Sequence, residues 1–203
     1  MAAYMKNVAP FLGVGAQPRK AALREVWRGL PPPSSDDVGS GAVVLMAQRE
    51  REFHYAAYDA IARFRRYADA DFLGRFATGL LTTRPWWDTV DGLVSAAVSP
   101  LSRIHDSTDL IDEWSGSEDI WLIRAAITHQ RGWKTDTNVP RVLDLCDRHW
   151  TNREFFVAKA IGWALRDIAR LFPAPVARFL ADHPESNAVA LREARRGLAG
   201  AER

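Results

Sequence analysis

Asp119-Ile120-Trp121-Leu122-Ile123-Arg124 is one copy of a pattern that the chain repeats. Glu52-Phe53-His54-Tyr55-Ala56-Ala57 and Glu154-Phe155-Phe156-Val157-Ala158-Lys159 superpose on it without gaps, and Trp86-Trp87-Asp88-Thr89-Val90-Asp91 fits the same frame. From Glu52 through Trp86 and Asp119 to Glu154 the steps are 34, 33 and 35 residues. A period of that length belongs to a helix-pair solenoid, in which each unit buries its apolar face only by stacking on its neighbour. Each copy opens a predicted helix and no segment sustains the alternation of a strand, so the fold class expected is all-α.

The register also places side chains. Asp91, Arg124 and Lys159 occupy one position of the frame in successive copies. Residues four apart return to nearly the same helix face, which puts Trp87 near Asp91 and Trp163 near Lys159. One continuous surface carrying Trp, Asp, Arg, Lys and Trp follows, and a carboxylate beside two cations suggests a nucleic-acid site. Aromatics at helical spacing usually pack into the core, and Trp86 and Trp121 are assigned there. Trp87 and Trp163 match the charged row instead. For Asp91 two compatible roles stay open: a salt bridge with Arg124 one repeat away, and a site carboxylate that the same cation keeps ionised and oriented.

Composition bounds the alternatives. At 203 residues the chain is long enough for a single domain, 1–203, with a sizeable core. Cys146 is the only cysteine, which excludes an internal disulfide and fits a reducing, cytoplasmic setting. No apolar run approaches the roughly 20 residues of a membrane span, and the N-terminus lacks a signal-peptide core. The formal charge of +2 is nearly balanced, so clustering rather than total charge would favour a polyanion. Only four of the cationic residues are Lys, a bias that genomic base composition explains as well as function does. The cluster Arg63, Arg65 and Arg66 reads as a solvated helix face. Nothing resembles a phosphate-cradling Gly-rich loop with its lysine, which argues against nucleotide hydrolysis, and no cofactor is expected. Cys146 and His149 have a C-x-x-H spacing but no further ligand pair, so no metal is expected.

Punctuation by Gly and Pro sets the predicted helices. A short one spans about Tyr4 to Leu12, stopped by Gly13 and Gly15, and another runs from Pro18 to about Leu30. Pro31 to Asp37 is a break, and Gly39-Ser40-Gly41 reads as a loop. Pairs follow: Ala42 to Arg49 with Glu52 to Tyr67, Ala70 to Leu81 with Pro85 to Ser95, Asp109 to Trp114 with Asp119 to Arg131, and Val139 to Trp150 with Arg153 to Leu171. Pro173 to His183 and Asn187 to Gly200 complete the chain.

Four ordered motifs carry a resemblance over nearly the whole chain. Tyr4-Met5-Lys6-Asn7 with Pro10-Phe11-Leu12-Gly13-Val14, the stretch Trp86 to Asp91, the stretch Asp119 to Ile127 and the stretch Glu154 to Arg166 are similar to the AlkD-type DNA alkylation repair glycosylases. The resemblance implies a HEAT-like superhelix (α-solenoid) whose concave basic surface grips double-stranded DNA. It also implies hydrolysis of the N-glycosidic bond of N3- or N7-alkylated purines without a base-flipping pocket, as part of base excision repair. It carries the family's catalytic positions onto Trp87, Asp91 and Trp163, its DNA-contacting arginine onto Arg124, and an active-site tyrosine onto Tyr4. Two departures stand out. The sequence begins three residues upstream of the tyrosine, so the family's first N-terminal helix is expected to be absent and Tyr4 to lie on an end prone to fraying. Near the C-terminus Leu191-Arg192-Glu193-Ala194 matches part of the family's Ser-Pro-Leu-Ser-Arg-Arg-Glu-Ala-like stretch, whereas Asn187 to Ala190 differ.

One carboxylate suffices for that chemistry. Sugar hydrolases commonly pair a general acid with a second carboxylate, but a purine alkylated at N3 or N7 is already cationic and leaves as a neutral base. What remains is to stabilise an oxocarbenium-like sugar and position water. Asp91 can supply the fixed negative charge, and Trp87 and Trp163 electron-rich ring faces. Arg124, Lys159, Arg166 and Arg84 are the candidates for backbone phosphates, each contributing about −0.9 to the log–log salt slope. Lys159 equally fits a solvated repeat position. The expected partner is double-stranded DNA containing alkylated purines, bound by a monomer with little sequence preference. A catalytically silent DNA-damage or branched-DNA binder, which would tolerate loss of Asp91, and a protein-interaction scaffold are the competing readings.

Overall fold

The computed structural model describes residues 2–184 and 188–201. Among them no strand occurs, and the elements are α1 (Ala16–Trp27), α2 (Ser35–Met46), α3 (Arg51–Phe64), α4 (Thr78–Thr82), α5 (Trp87–Leu93), α6 (Ser99–Ser102), α7 (Thr108–Ser115), α8 (Ile120–Thr128), α9 (Val139–Arg148), α10 (Phe155–Ala169), α11 (Pro173–Asp182) and α12 (Ala188–Ala201). The all-helical, helix-pair architecture expected from the 34-residue period is therefore present. The chain divides into two compact units, Met1–Leu101 and Ser102–Arg203.

In the first unit α2 folds back on α3 across the turn at 47–50. Their buried residues include Val38, Ala42 and Met46 on one side and Ala57 and Ile61 on the other, spaced four residues apart as a buried helix face requires, with Ala56 beside Ala57. α1 runs alongside α3 in the same direction: Arg19 lies over the Tyr55 ring and bonds Asp59 at 3.0 Å, and further along Trp27 packs edge-on against Phe64. Wide π-helical turns at Leu73–Ala77 and Val94–Val98 carry the chain into α4 and from α5 into α6.

Three local readings change. The segment expected as a helix from Tyr4 to Leu12 makes only hydrogen-bonded turns at 2–7, because Lys6 and Asn7 adopt left-handed backbone conformations (φ 57° and 56°) that end any helix. α2 starts seven residues before the expected Ala42. Ser34 and Asp37 form a reciprocal capping box within the supposed break, the Asp37 amide donating to Ser34 Oγ at 3.1 Å and the Ser34 amide to the Asp37 carboxylate at 2.9 Å. Gly39-Ser40-Gly41 is consequently helical, and Gly39 is required there because a Cβ would lie 2.3 Å from the Phe76 ring.

In the second unit α8 is the central element, packed against α7, α9 and α10. Every residue from Trp121 to Thr128 is buried, and Ala125 and Ala126 let the neighbouring helices approach. Asp119 caps α8, its carboxylate accepting the Trp121 and Leu122 amides at 2.7 and 3.3 Å. α10 also carries α9, α11 and α12. α12 comes close because Gly162 and Gly197 are bare: a Cβ on Gly162 would stand 2.8 Å from the Glu193 Cβ, and one on Gly197 2.7 Å from the Arg166 Cα. Asn187, expected to begin the last helix, lies outside the described residues. Among the described residues no helix is long and apolar enough to cross a membrane.

Candidate active site

The first unit fixes the start of α5. Arg84, directly before Pro85, has φ 46°, a strained conformation for a non-glycine residue in that position. The fully buried Arg51 guanidinium pins it, Nη1 donating to the Arg84 carbonyl at 2.9 Å. The same guanidinium reaches the Asp88 carboxylate through Nε at 3.2 Å and Nη2 at 2.5 Å, and Thr89 Oγ1 at 3.1 Å. The Tyr55 hydroxyl donates to Asp88 at 2.6 Å, and the Thr89 hydroxyl to the Trp86 carbonyl at 3.1 Å. Burial, reinforced by the bond to Asp88, pushes the Tyr55 phenol well above its ordinary range. This network immobilises the first turn of α5, and with it Trp87.

Asp91 lies one helical turn beyond Trp87 and is half-buried, as Trp87 is. The Tyr4 ring, largely exposed, meets Trp87 edge to face with centroids 6.3 Å apart. Its neighbour Met5 is buried, and the following segment is strapped to α3: Glu52 accepts the amides of Leu12, Gly13 and Val14 at 2.9, 2.8 and 3.1 Å, and the Arg51 amide donates to the Pro10 carbonyl at 2.9 Å. Burial alone would raise the Glu52 pKa, but the converging amides outweigh it and hold the carboxyl below its usual range. Tyr4 is therefore anchored through its chain neighbours. Arg84 is exposed.

The second unit gathers cations on one indole. Arg124, Arg131 and Lys159 lie over the Trp163 ring at 4.9, 5.2 and 5.9 Å from its centroid. Arg124 is only 1% exposed, and its Nη1 donates to the Phe156 carbonyl at 2.7 Å. Lys159 and Arg166 reach the buried Glu193 carboxylate at 3.4 and 2.7 Å, with Arg196 at 3.4 Å. Burial would lift the Glu193 pKa, yet Lys159, Arg166 and Arg196 together hold it below the usual carboxylate range. A cleft of about 370 Å³ opens beside Trp163, rimmed by Arg131, Lys134, Asp167 and Arg170. Trp121 is buried against Phe156, in keeping with a packing role, while Trp86 is half-buried. Burial raises the Cys146 thiol pKa, His149 pairs with Ser115 at 3.0 Å, and no group of three metal-ligating side chains forms among the described residues.

The family model for DNA alkylation repair enzymes matches residues 1–198. The chain belongs to the DNA alkylation repair enzyme family. Among solved structures it is similar to a predicted DNA alkylation repair enzyme from Enterococcus faecalis, with a TM-score of 0.88 at 24% identity over 98% of this chain and 93% of that one. It is also similar to AlkD2 from Streptococcus mutans, with a TM-score of 0.65 at 17% identity over 100% and 96% of the two chains. The protein smu.31 from Streptococcus mutans UA159 gives 0.65 at 16% identity over 89% and 90%. At these identities the structures speak for the fold alone. No curated protein matches the chain.

In this DNA alkylation repair enzyme the first unit brings Tyr4 to Trp87 and sets Asp91 one turn away, and the second brings Arg124 and Lys159 to Trp163. Among the described residues Arg166 joins the second group through Glu193. Sequence reading missed Arg51, Asp88, Arg131 and Glu193. Asp88 was inside the repeat and Glu193 inside the matched Leu191-Arg192-Glu193-Ala194 stretch, but nothing local to either names its partner 37 or 34 residues away.

Proposed function

We propose that this DNA alkylation repair enzyme is a glycosylase that hydrolyses the N-glycosidic bond of cationic N3- or N7-alkylated purines in duplex DNA. The observation that carries the reading is the indole–carboxylate pair, Trp87 and Asp91, one turn apart on a helix whose first turn is immobilised by a buried ion pair. Rigid placement is what electrostatic stabilisation of a short-lived cation demands. The C1′–N bond breaks with its electron pair going to the purine ring, which leaves neutral. Asp91 stabilises the oxocarbenium-like sugar and orients water, which adds at C1′ and releases its proton through the carboxylate to solvent. Trp87 offers its ring face to the deoxyribose with Tyr4 supporting it, Trp163 is the second unit's candidate ring face, Arg84 serves the phosphates, and Lys159 and Arg166, held by Glu193, lend positive charge near them. Arg124, being buried, acts by backing Trp163.

No metal or cofactor is needed, and the cationic leaving group sets the selectivity. Because ring faces and a charge do the work rather than an enclosing base pocket, bulky cationic adducts are substrates too. The test is release of free base from duplexes carrying 7-methylguanine or, as neutral controls, hypoxanthine and uracil. Release of 7-methylguanine above the spontaneous rate, with neither control excised, is expected. Release of neutral bases, or none above background, contradicts the assignment.

A further inference from the structure

Glu193 is 3% exposed and lies where α12 meets α10, at a separation that only the bare Gly162 and Gly197 permit. A buried carboxylate is costly unless paired. Here it is paired on α10 with Lys159 and Arg166, seven residues and two turns apart, whose side chains are 25% and 28% exposed. Too deep to touch DNA, Glu193 acts through these cations. Lys159 is a flexible four-carbon stem with a compact charge, and it stands between two fixed neighbours, the Glu193 carboxylate at 3.4 Å and the Trp163 ring at 5.9 Å.

We propose that Glu193 is a positioning residue that tethers Lys159 beside the Trp163 ring and withholds the Lys159 and Arg166 charges from indiscriminate phosphate contact. The excision half of this proposal rests on the glycosylase reading; the binding half does not. Loss of the tether has effects of opposite sign. Freed cations reach more phosphates and tighten binding to undamaged duplex, while Lys159 loses its place at the indole and excision slows. A residue that merely packs α12 on α10 would lower both along with the melting temperature.

The experiment measures binding of undamaged duplex across a salt series, together with single-turnover release of 7-methylguanine, for the wild type, Glu193→Gln, Glu193→Asp, Lys159→Met and the double variant Lys159→Met with Glu193→Gln. For Glu193→Gln the log–log salt slope should steepen by about 0.9 for each cation released. Excision should fall about tenfold through misplacement of Lys159. In the Lys159→Met background Glu193→Gln should have almost no further effect on excision, since its influence passes through the missing ammonium. Glu193→Asp, shorter by one methylene but still charged, should lie between, and it carries the slope comparison if Glu193→Gln fails to fold. An unchanged slope, or an excision defect that persists in full without Lys159, overturns the proposal. If the wild type releases no base, the glycosylase reading falls and the salt slope alone still decides whether Glu193 restrains the cations.

Discussion

Replacing Asp88 by Asn strands the charge of the most buried guanidinium in the first unit. Arg51 and Asp88 have side-chain exposures of 1% and 10%, so little water can take the carboxylate's place. Removing one partner of such a pair costs about 3–5 kcal/mol. The lower end applies, because the asparagine oxygen still accepts one bond and the Arg84 carbonyl and Thr89 hydroxyl retain theirs. A loss of roughly 3 kcal/mol is a large share of the ~5–15 kcal/mol that holds a domain folded. At this chain length it lowers the melting temperature by roughly 6–12 °C. Pairing Asp88→Asn with Arg51→Met removes the stranded charge and should recover part of the loss, though not all, since the strained Arg84 turn then loses its anchor. Urea unfolding at neutral pH, followed by tryptophan fluorescence and far-UV circular dichroism, reads both variants. A single variant within about 1 kcal/mol of wild type, well below the cost of an unpaired buried charge, contradicts a buried Arg51–Asp88 pair. So does a double variant less stable than Asp88→Asn.

Two further outcomes follow from groups elsewhere. Burial drives the His129 imidazole down to about 4, against the bond from its Nδ1 to the Ala126 carbonyl, while an unfolded histidine titrates near 6.5. Between those values the unfolded chain binds a proton that the folded chain refuses, so stability is complete above about pH 6.5 and falls as pH drops to about 4, by roughly 3 kcal/mol at most. His54 and His149, also lowered by burial, add to the loss of stability below about pH 6.5. Urea midpoints from pH 7 to 4.5 should therefore shift less in His129→Gln than in wild type, and an identical shift counts against the assignment. Gly92→Ala should destabilise by roughly 1–3 kcal/mol through overpacking, because its Cβ would stand 2.4 Å from the Tyr58 ring. Gly79→Ala, with nothing within 4 Å, should be neutral or stabilising in the same assay, and equal effects would contradict the packing described.

What the sequence made legible was periodic. The 34-residue frame identified the helix pairs because each copy carries its own apolar spacing, and Trp87 with Asp91 could be placed on one helix face from an offset of four alone. Arg51 was opaque for the opposite reason: its partners Arg84, Asp88 and Thr89 lie at least 33 residues away, and a buried arginine looks like a surface one until the fold closes around it. The start of α2 was misread because Gly39 and Gly41 argue for a loop by propensity, whereas the Ser34–Asp37 capping box and the Phe76 ring seated on Gly39 override it. At the second site Lys159 and Trp163 were paired correctly by spacing, while Glu193 entered from another helix through a gap that only two glycines create.

In the proposed mechanism a single carboxylate, Asp91, performs the chemistry while cations perform the binding. Asp91→Asn separates the two, because it is nearly isosteric and removes only charge. Bound fraction and released 7-methylguanine should be measured on one duplex, for wild type and variant, at matched salt. Retained or tighter binding with release reduced to the spontaneous rate is the predicted result. Release by Asp91→Asn at the wild-type rate, or binding lost together with release, contradicts it.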